Sequence, residues 1–121
     1  MRILLNSRDE IMSVDLNKVV YFLADGNFTR IVLENKMILT CGIGLIKMEE
    51  LLAQQISRNP DSLLVRAGKS HIVNLEKIIL VNVLKQQVLL AGESGQTFSI
   101  KVSREAAKGL KQLIAKTRII K

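Results

Sequence analysis

A chain of 121 residues with 48% apolar and 24% charged side chains has the size and composition of one folded domain, not of a disordered segment. Its single cysteine and single histidine exclude a disulfide framework, a multi-cysteine zinc site and a two-histidine catalytic centre. The net charge is +7, and residues 101–121 hold seven basic side chains against Glu105 alone, so the excess sits almost wholly at the C-terminal end. Such asymmetry points to a polyanionic partner, either nucleic acid or an anionic membrane surface, or else to a solubilising tail.

The N-terminus turns charged after three apolar residues, unlike a signal peptide. No apolar run reaches the roughly 18 residues of a membrane span. A reduced, cytoplasmic protein without a cofactor, a metal or a membrane anchor is the expectation.

In chain order, Arg2 to Leu5 and Glu10 to Val14 can form an opening strand pair. Val19 to Leu23 is a β-branched and aromatic run, and Asp25-Gly26 after it is a hairpin signal. Phe28 to Leu33 returns, Glu34-Asn35-Lys36 turns, and Met37 to Cys41 follows as a third strand. Apolar residues at Leu45, Met48, Leu52 and Ile56 lie on one helical face, with Pro60 shortly beyond. Later strand-like runs are Leu63 to Arg66, Ile78 to Leu84, Val88 to Leu90 and Thr97 to Ile100, with Gly92 to Gly95 as the last turn. A second helix runs from Ser103 to about Lys116. Ser103 can cap it, and Glu105 in the first turn suits the helix dipole. Ala106, Leu110, Leu113 and Ile114 form its apolar face, and Arg104, Lys108 and Lys111 a basic stripe beside it. Gly109 weakens this helix by about 1 kcal/mol relative to alanine. The chain reads as mostly β, without repeats or linkers.

No residue set supports catalysis. Ser70 and His71 are neighbours, and neighbours on a strand point to opposite faces. Gly42-Ile43-Gly44 lacks the rest of a phosphate loop, so its glycines are expected to turn the chain from strand to helix. Glu49 and Glu50 fall on the polar side of the first helix, and Cys41 reads as a small core residue. The polar knot Gly68-Lys69-Ser70, between two strand-like pieces, is either an ordinary β-turn or a loop that grips a phosphate and reaches a base edge. Asn74 and Glu76 suit a turn before the next strand.

The string Val-Arg-x-x-Lys-Ser-x-Ile-Val-Asn-Leu-x-Lys-Ile at 65–78 resembles the signature of LytTR-type DNA-binding domains. That signature is an Arg-x-His-Arg-Ser-aromatic-aliphatic-Val-Asn run ending in Ile. Val20 to Thr29 resembles the family's early hairpin, and Phe98 to Arg104 its late strand before the last helix. The resemblance covers about residues 6–115, with 116–121 as a basic end to a single domain spanning 1–121. It implies an elongated arrangement of small antiparallel sheets with one mid-chain helix and one C-terminal helix. It also implies binding of duplex DNA by loops inserted into successive major grooves, as a bacterial transcription regulator. Carried onto this chain, the base-reading residues are Asn27, Lys69 and Arg104. Ser70, Lys101, Ser103, Lys108 and Lys111 fall beside them as phosphate contacts. Asparagine suits adenine N6 and N7, and arginine or lysine suits guanine O6 and N7.

The chain departs from the signature at Gly68-Lys69, where His-Arg is usual, and at His71, where an aromatic is usual. Lysine lacks arginine's planar fork, so Lys69 is expected to read bases differently or to hold phosphate only. His71 is expected to pack on its strand. Family members commonly carry a receiver domain or membrane helices, and neither is present in the 121 residues, so a free-standing regulator and a fragment are both open. The implied partners are duplex DNA at tandem sites, a second copy on DNA, and a sensor or receiver protein. An adaptor or inhibitor built on the same fold, with weak non-specific DNA binding, is the alternative.

Overall fold

Strands β1 (Arg2–Asn6) and β2 (Ile11–Asp15) pair antiparallel, with Ile3 opposite Val14 and Leu5 opposite Met12. Their alternation puts Ile3, Leu5 and Val14 inside and leaves Leu4 and Ile11 exposed, the period of a sheet with one wet face. The computed structural model to which these elements belong describes residues 1–56 and 64–117. The predicted positions Pro60, Leu63, Arg118 and Lys121 lie outside the described residues.

Next come β3 (Val19–Asp25), β4 (Phe28–Leu33), β5 (Ile38–Cys41), helix α1 (Leu45–Ile56), β6 (Leu64–Ala67) and β7 (His71–Asn74). The five strands form one antiparallel sheet in the order β5-β4-β3-β7-β6. The chain ends in β8 (Ile78–Asn82), β9 (Gln87–Ala91), β10 (Thr97–Lys101) and helix α2 (Arg104–Thr117). These last strands make a second antiparallel sheet, β10-β9-β8. The expected class, mostly β with small antiparallel sheets and two helices, is the one adopted.

The five-stranded sheet is buried on both faces. One face packs Val19, Phe22, Ile31 and Ile72 against β1, β2 and the Leu45, Met48 and Leu52 stripe of α1. The other packs Val20, Val32 and Val73 against Val88, Leu90, Phe98 and Ile100 of the second sheet and Ala107 and Leu110 of α2. Two-sided burial explains why β3 reads as an unbroken apolar run instead of an alternation. A bulge between Val19 and Tyr21 adds to this, turning Val20 and Tyr21 to the same core.

One device occurs twice, although the sequence reads as free of repeats. Asp15-Leu16-Asn17-Lys18-Val19 and Asn74-Leu75-Glu76-Lys77-Ile78 each join two strands by a single 3₁₀ turn. In each, the first side chain caps the turn by accepting the N–H two residues on, at 3.1 Å. In each, the leucine is buried and the following strand bulges at its second residue. Divergence at every other position hides the likeness in sequence. The predicted strand to Leu84 stops at Asn82, whose Oδ1 accepts the N–H of Lys85 and closes the hairpin to β9.

Both lysines of this device converge on Glu34, in the turn after β4. Lys77 Nζ lies 2.5 Å from Glu34 Oε1, both residues being only 8% exposed, and Lys18 Nζ lies 3.9 Å from Oε2. The N–H of Glu93, in the β9–β10 turn, donates to the same carboxylate at 3.1 Å. Burial pushes the Glu34 carboxyl up, but the Lys77 and Glu93 hydrogen bonds and the Lys77 and Lys18 charges outweigh it, so its pKa falls below the ordinary 4.5.

Removing the carboxylate strands a buried ammonium, so Glu34→Gln should cost roughly 3–5 kcal/mol in urea unfolding at neutral pH. The wild-type contribution is whole above the unfolded value and is lost as pH falls through the lower folded value. Glu34→Gln should therefore flatten the acid side of the stability–pH curve. An unchanged acid limb would show that this carboxylate is not responsible.

Candidate nucleic-acid interface

Strand pairing decides where the predicted residues come to lie. Strands β3 and β7 run antiparallel with Leu23 opposite His71, so the β3–β4 turn and the β6–β7 turn emerge at the same end of the sheet. The N–H of Ala24 donates to the Ser70 carbonyl at 2.8 Å and locks the two turns together. The first turn carries Asn27 and the second carries Lys69 and Ser70, all exposed.

The start of α2 joins them. Gly68 has φ +70, and a β-carbon there would lie 3.6 Å from Ala106 Cβ and 4.0 Å from Ser103 Oγ. The positive φ, not lack of room, selects glycine at this position. Ser103 caps α2 as expected, its Oγ accepting the Ala106 N–H at 3.1 Å. This leaves the hydroxyl proton free to donate outward, as a phosphate contact would require. Arg104 and Lys108 are exposed along the helix. Of its apolar residues, Ala107 and Leu110 lie deepest, and the expected Ala106, Leu113 and Ile114 are half-buried.

Asn27 and Lys69 line one groove of about 650 Å³ with Arg66, Lys47 and the Gly42–Gly44 entry to α1. Thr29, wholly buried, donates to the Ile43 carbonyl at 2.8 Å and holds that entry against the hairpin. Arg104 lies outside this groove, beyond Gly68 on the first turn of α2. Lys111 lies farther along the helix, beside a hollow of about 240 Å³ lined by β8, Ile114 and Ala115. Lys101 is exposed at the end of β10, opposite Gln87. Asn27, Lys69 and Ser70 thus share one end of the sheet, Ser103 meets that end at Gly68 with Arg104 next to it in the chain, and Lys101, Lys108 and Lys111 stand farther along β10 and α2.

Charge pairing separates the basic residues into two sets. Lys18, Arg30, Lys47, Arg66 and Lys77 ion-pair with carboxylates. Among the described residues, Lys69, Lys101, Arg104, Lys108 and Lys111 pair with none, and neither do Arg2, Arg8, Lys36, Lys85 and Lys116. Apart from the buried Lys77 pair, these are surface pairs worth little for stability, but they neutralise a cation, and the second set is left with its full charge.

Sequence reading missed Arg66. Its Nε donates to the Gly68 carbonyl at 3.0 Å, Nη2 to the Lys69 carbonyl at 2.9 Å, and Nη1 to Glu49 Oε1 at 3.0 Å. Its signal was an arginine two residues before a turn glycine. Glu49, read only as helix surface, is its partner.

His71 packs as expected, its ring 5.9 Å from that of Tyr21, which meets Phe98 edge-on at 6.5 Å. Burial lowers its pKa and raises those of Tyr21 and Cys41, the last also with smaller contributions from its surroundings. Among the described residues, no three His, Cys, Asp or Glu side chains gather as metal ligands. No helix among them is long and apolar enough to cross a membrane.

The lowered pKa of His71 favours its neutral form in the fold. Its stabilising contribution is whole above the ordinary 6.5 and is lost as pH falls from there through the folded value. His71→Phe should remove that loss while keeping the Tyr21 contact, which thermal melts between pH 5 and 7 would detect as a flatter profile.

The sequence profile of the LytTr DNA-binding domain matches residues 9–115. Among solved structures, a protein described as the LytTr DNA-binding domain of a methyl-accepting/DNA response regulator from Bacillus cereus superposes with a TM-score of 0.61. It is 25% identical in sequence, and the match covers 93% of this chain and 95% of that one. Among curated protein sequences none matches. With the profile spanning residues 9–115 and a solved domain of the same description superposing over 93% of the chain, this chain belongs to the LytTr DNA-binding domain family.

Proposed function

We propose that the chain, acting as one such domain over residues 1–121, binds specific duplex DNA as a transcription regulator. Asn27, Lys69 and Arg104 read base edges from loops entering successive major grooves. Ser70, Lys101, Ser103, Lys108 and Lys111 hold phosphates on either side. The carrying observation is that three exposed polar residues from distant parts of the chain gather at one end of the sheet through backbone pairing and helix packing. Two further features support the reading. Lys69 and Arg104 have no carboxylate partners among the described residues. Their side chains also suit the donor and acceptor pattern of the major groove. Tandem sites, with two copies side by side on DNA, fit a domain that reads only a few base pairs by itself.

Selection from a random duplex pool at near-physiological salt tests this directly. An enriched motif is expected. Arg104→Ala or Asn27→Ala should cost roughly 1–3 kcal/mol and relax preference at one position. Lys108→Ala should weaken all sequences alike and reduce the salt slope by about one. Enrichment of no motif, with binding at low salt only, would sink the reading and favour an adaptor on the same fold.

Lys69 gives a sharper prediction. Its ammonium is a point charge, whereas arginine presents two parallel donors to guanine O6 and N7. Lys69→Arg should therefore strengthen preference for guanine at one base pair of the selected motif. A motif identical to wild type at every position would restrict Lys69 to phosphate.

A further inference from the structure

Lys69 is exposed at the tip of a turn and has no ion-pair partner among the described residues. Something must set the direction in which its side chain leaves the backbone. That direction is fixed by the two peptide planes flanking its Cα, since each plane is rigid and only the rotations between them are soft. One plane carries the Gly68 carbonyl and the other the Lys69 carbonyl. Arg66 donates to both, from Nε and Nη2, at 3.0 and 2.9 Å. Its third direction, Nη1, ends on Glu49 of α1 at 3.0 Å. All three contacts come from one guanidinium, whose fixed fork of donors lysine cannot supply.

We propose that Arg66 is a positioning residue for base reading, fixing both peptide planes around Lys69 and braced by Glu49, without itself contacting DNA. The proposal rests on the DNA-reading role of this end of the sheet. The groove shared by Asn27, Lys69 and Arg66 makes the distinction meaningful, because a guanidinium there could equally serve as a phosphate contact. Its hydrogen bonds argue for positioning, since three of its five N–H groups, one on each nitrogen, are already engaged within the protein. Glu49 extends the brace to α1, whose buried stripe of Leu45, Met48 and Leu52 is seated on the sheet. The turn thus inherits the rigidity of a packed helix.

The test compares R66K, E49Q, K69A and the double variant R66K/K69A in the full chain. Each is read by motif selection, by affinity for the selected duplex and by salt slope, with backbone ¹⁵N relaxation of Lys69 and Ser70 alongside. R66K keeps the net charge, so a purely electrostatic role predicts no change. The positioning role predicts about tenfold weaker binding to the selected duplex, the size of one lost base contact. The loss should be confined to the position that K69A also relaxes. The salt slope should be unchanged, relaxation should show greater motion at Lys69, and R66K should have no further effect in the K69A background. E49Q, which spares the turn carbonyl bonds, should give a smaller loss at the same position and covers the case in which R66K does not fold.

A fall in salt slope, a uniform loss at all positions, or additive effects in the double variant would overturn the proposal and make Arg66 a DNA contact or a general stabiliser. A motif that K69A alters and that R66K and E49Q both preserve would sink Arg66 alone. If the unaltered chain selects no motif, the reading of this end as a DNA reader falls, and Arg66's part in it falls too.

Discussion

Glu34 leaves the end of β4 and meets, in one buried spot, an ammonium from the turn before β8 and a backbone N–H from the turn before β10. Two charges withdrawn from water are tolerated only when their remaining bonding capacity is met, and here two hydrogen-bond donors and the nearby charge of Lys18 serve one carboxylate. Gly92 makes room for this, since a β-carbon at that position would lie 3.1 Å from Glu34 Cβ. The junction ties the five-stranded sheet to the three-stranded one. Since β10 leads directly into α2, it also fixes where Arg104 stands relative to Asn27 and Lys69. Apolar packing between the sheets is non-directional and could tolerate some sliding. An ion pair with defined partners cannot.

The same economy governs the other charges. Three carboxylates around the Asn27 and Lys69 groove are paired within the protein: Asp25 with Arg30 across the β3–β4 hairpin, Glu49 with Arg66, and Glu50 with Lys47, while Glu105 beside Arg104 is unpaired among the described residues. Each pairing removes a negative charge from a surface that would otherwise repel a polyanion. Among the cations without a carboxylate partner are Lys69 at its turn and Arg104, Lys108 and Lys111 along α2. Net charge alone, spread evenly, would bring weak non-specific attraction. Four full charges on the turn and the helix add to that attraction locally.

Much of this architecture is legible from the sequence because local signals coincide with global packing. Asp25-Gly26, Asn74 and Ser103 each occupy the turn or cap expected of them, and the apolar stripe of α1 is the one that packs. What is hidden is non-local. Lys77 reads as a surface residue, yet it is buried because Glu34, far away in sequence, meets it. The recurrence of the 3₁₀ device is hard to see for a related reason. Its shared leucine and lysine stand among positions that differ, and its cap and bulge are backbone features that several residue types satisfy. Arg66 was hidden because its partners are two carbonyls, and no side-chain pattern records which carbonyls a turn will turn inward. The gathering of Asn27, Lys69 and Arg104 at one end became visible in sequence only through resemblance to a family. Spacing along the chain carries no information about which strands lie side by side.

A lysine at the tip of the turn places an unusual demand on the scaffold. Arginine partly orients itself, because a bidentate fork has few productive geometries on guanine. Lysine has a longer list of acceptable poses and so depends more on where its backbone points. The signature departures at 68 and 69 fit together in this light. Glycine allows the positive φ that brings the turn back against α2, and the turn so formed offers its two carbonyls to Arg66. In the proposed base-reading role, rigidity absent from the lysine side chain is supplied by the backbone that carries it. A selective contact from Lys69 would then depend less on the lysine than on the arginine three residues before it.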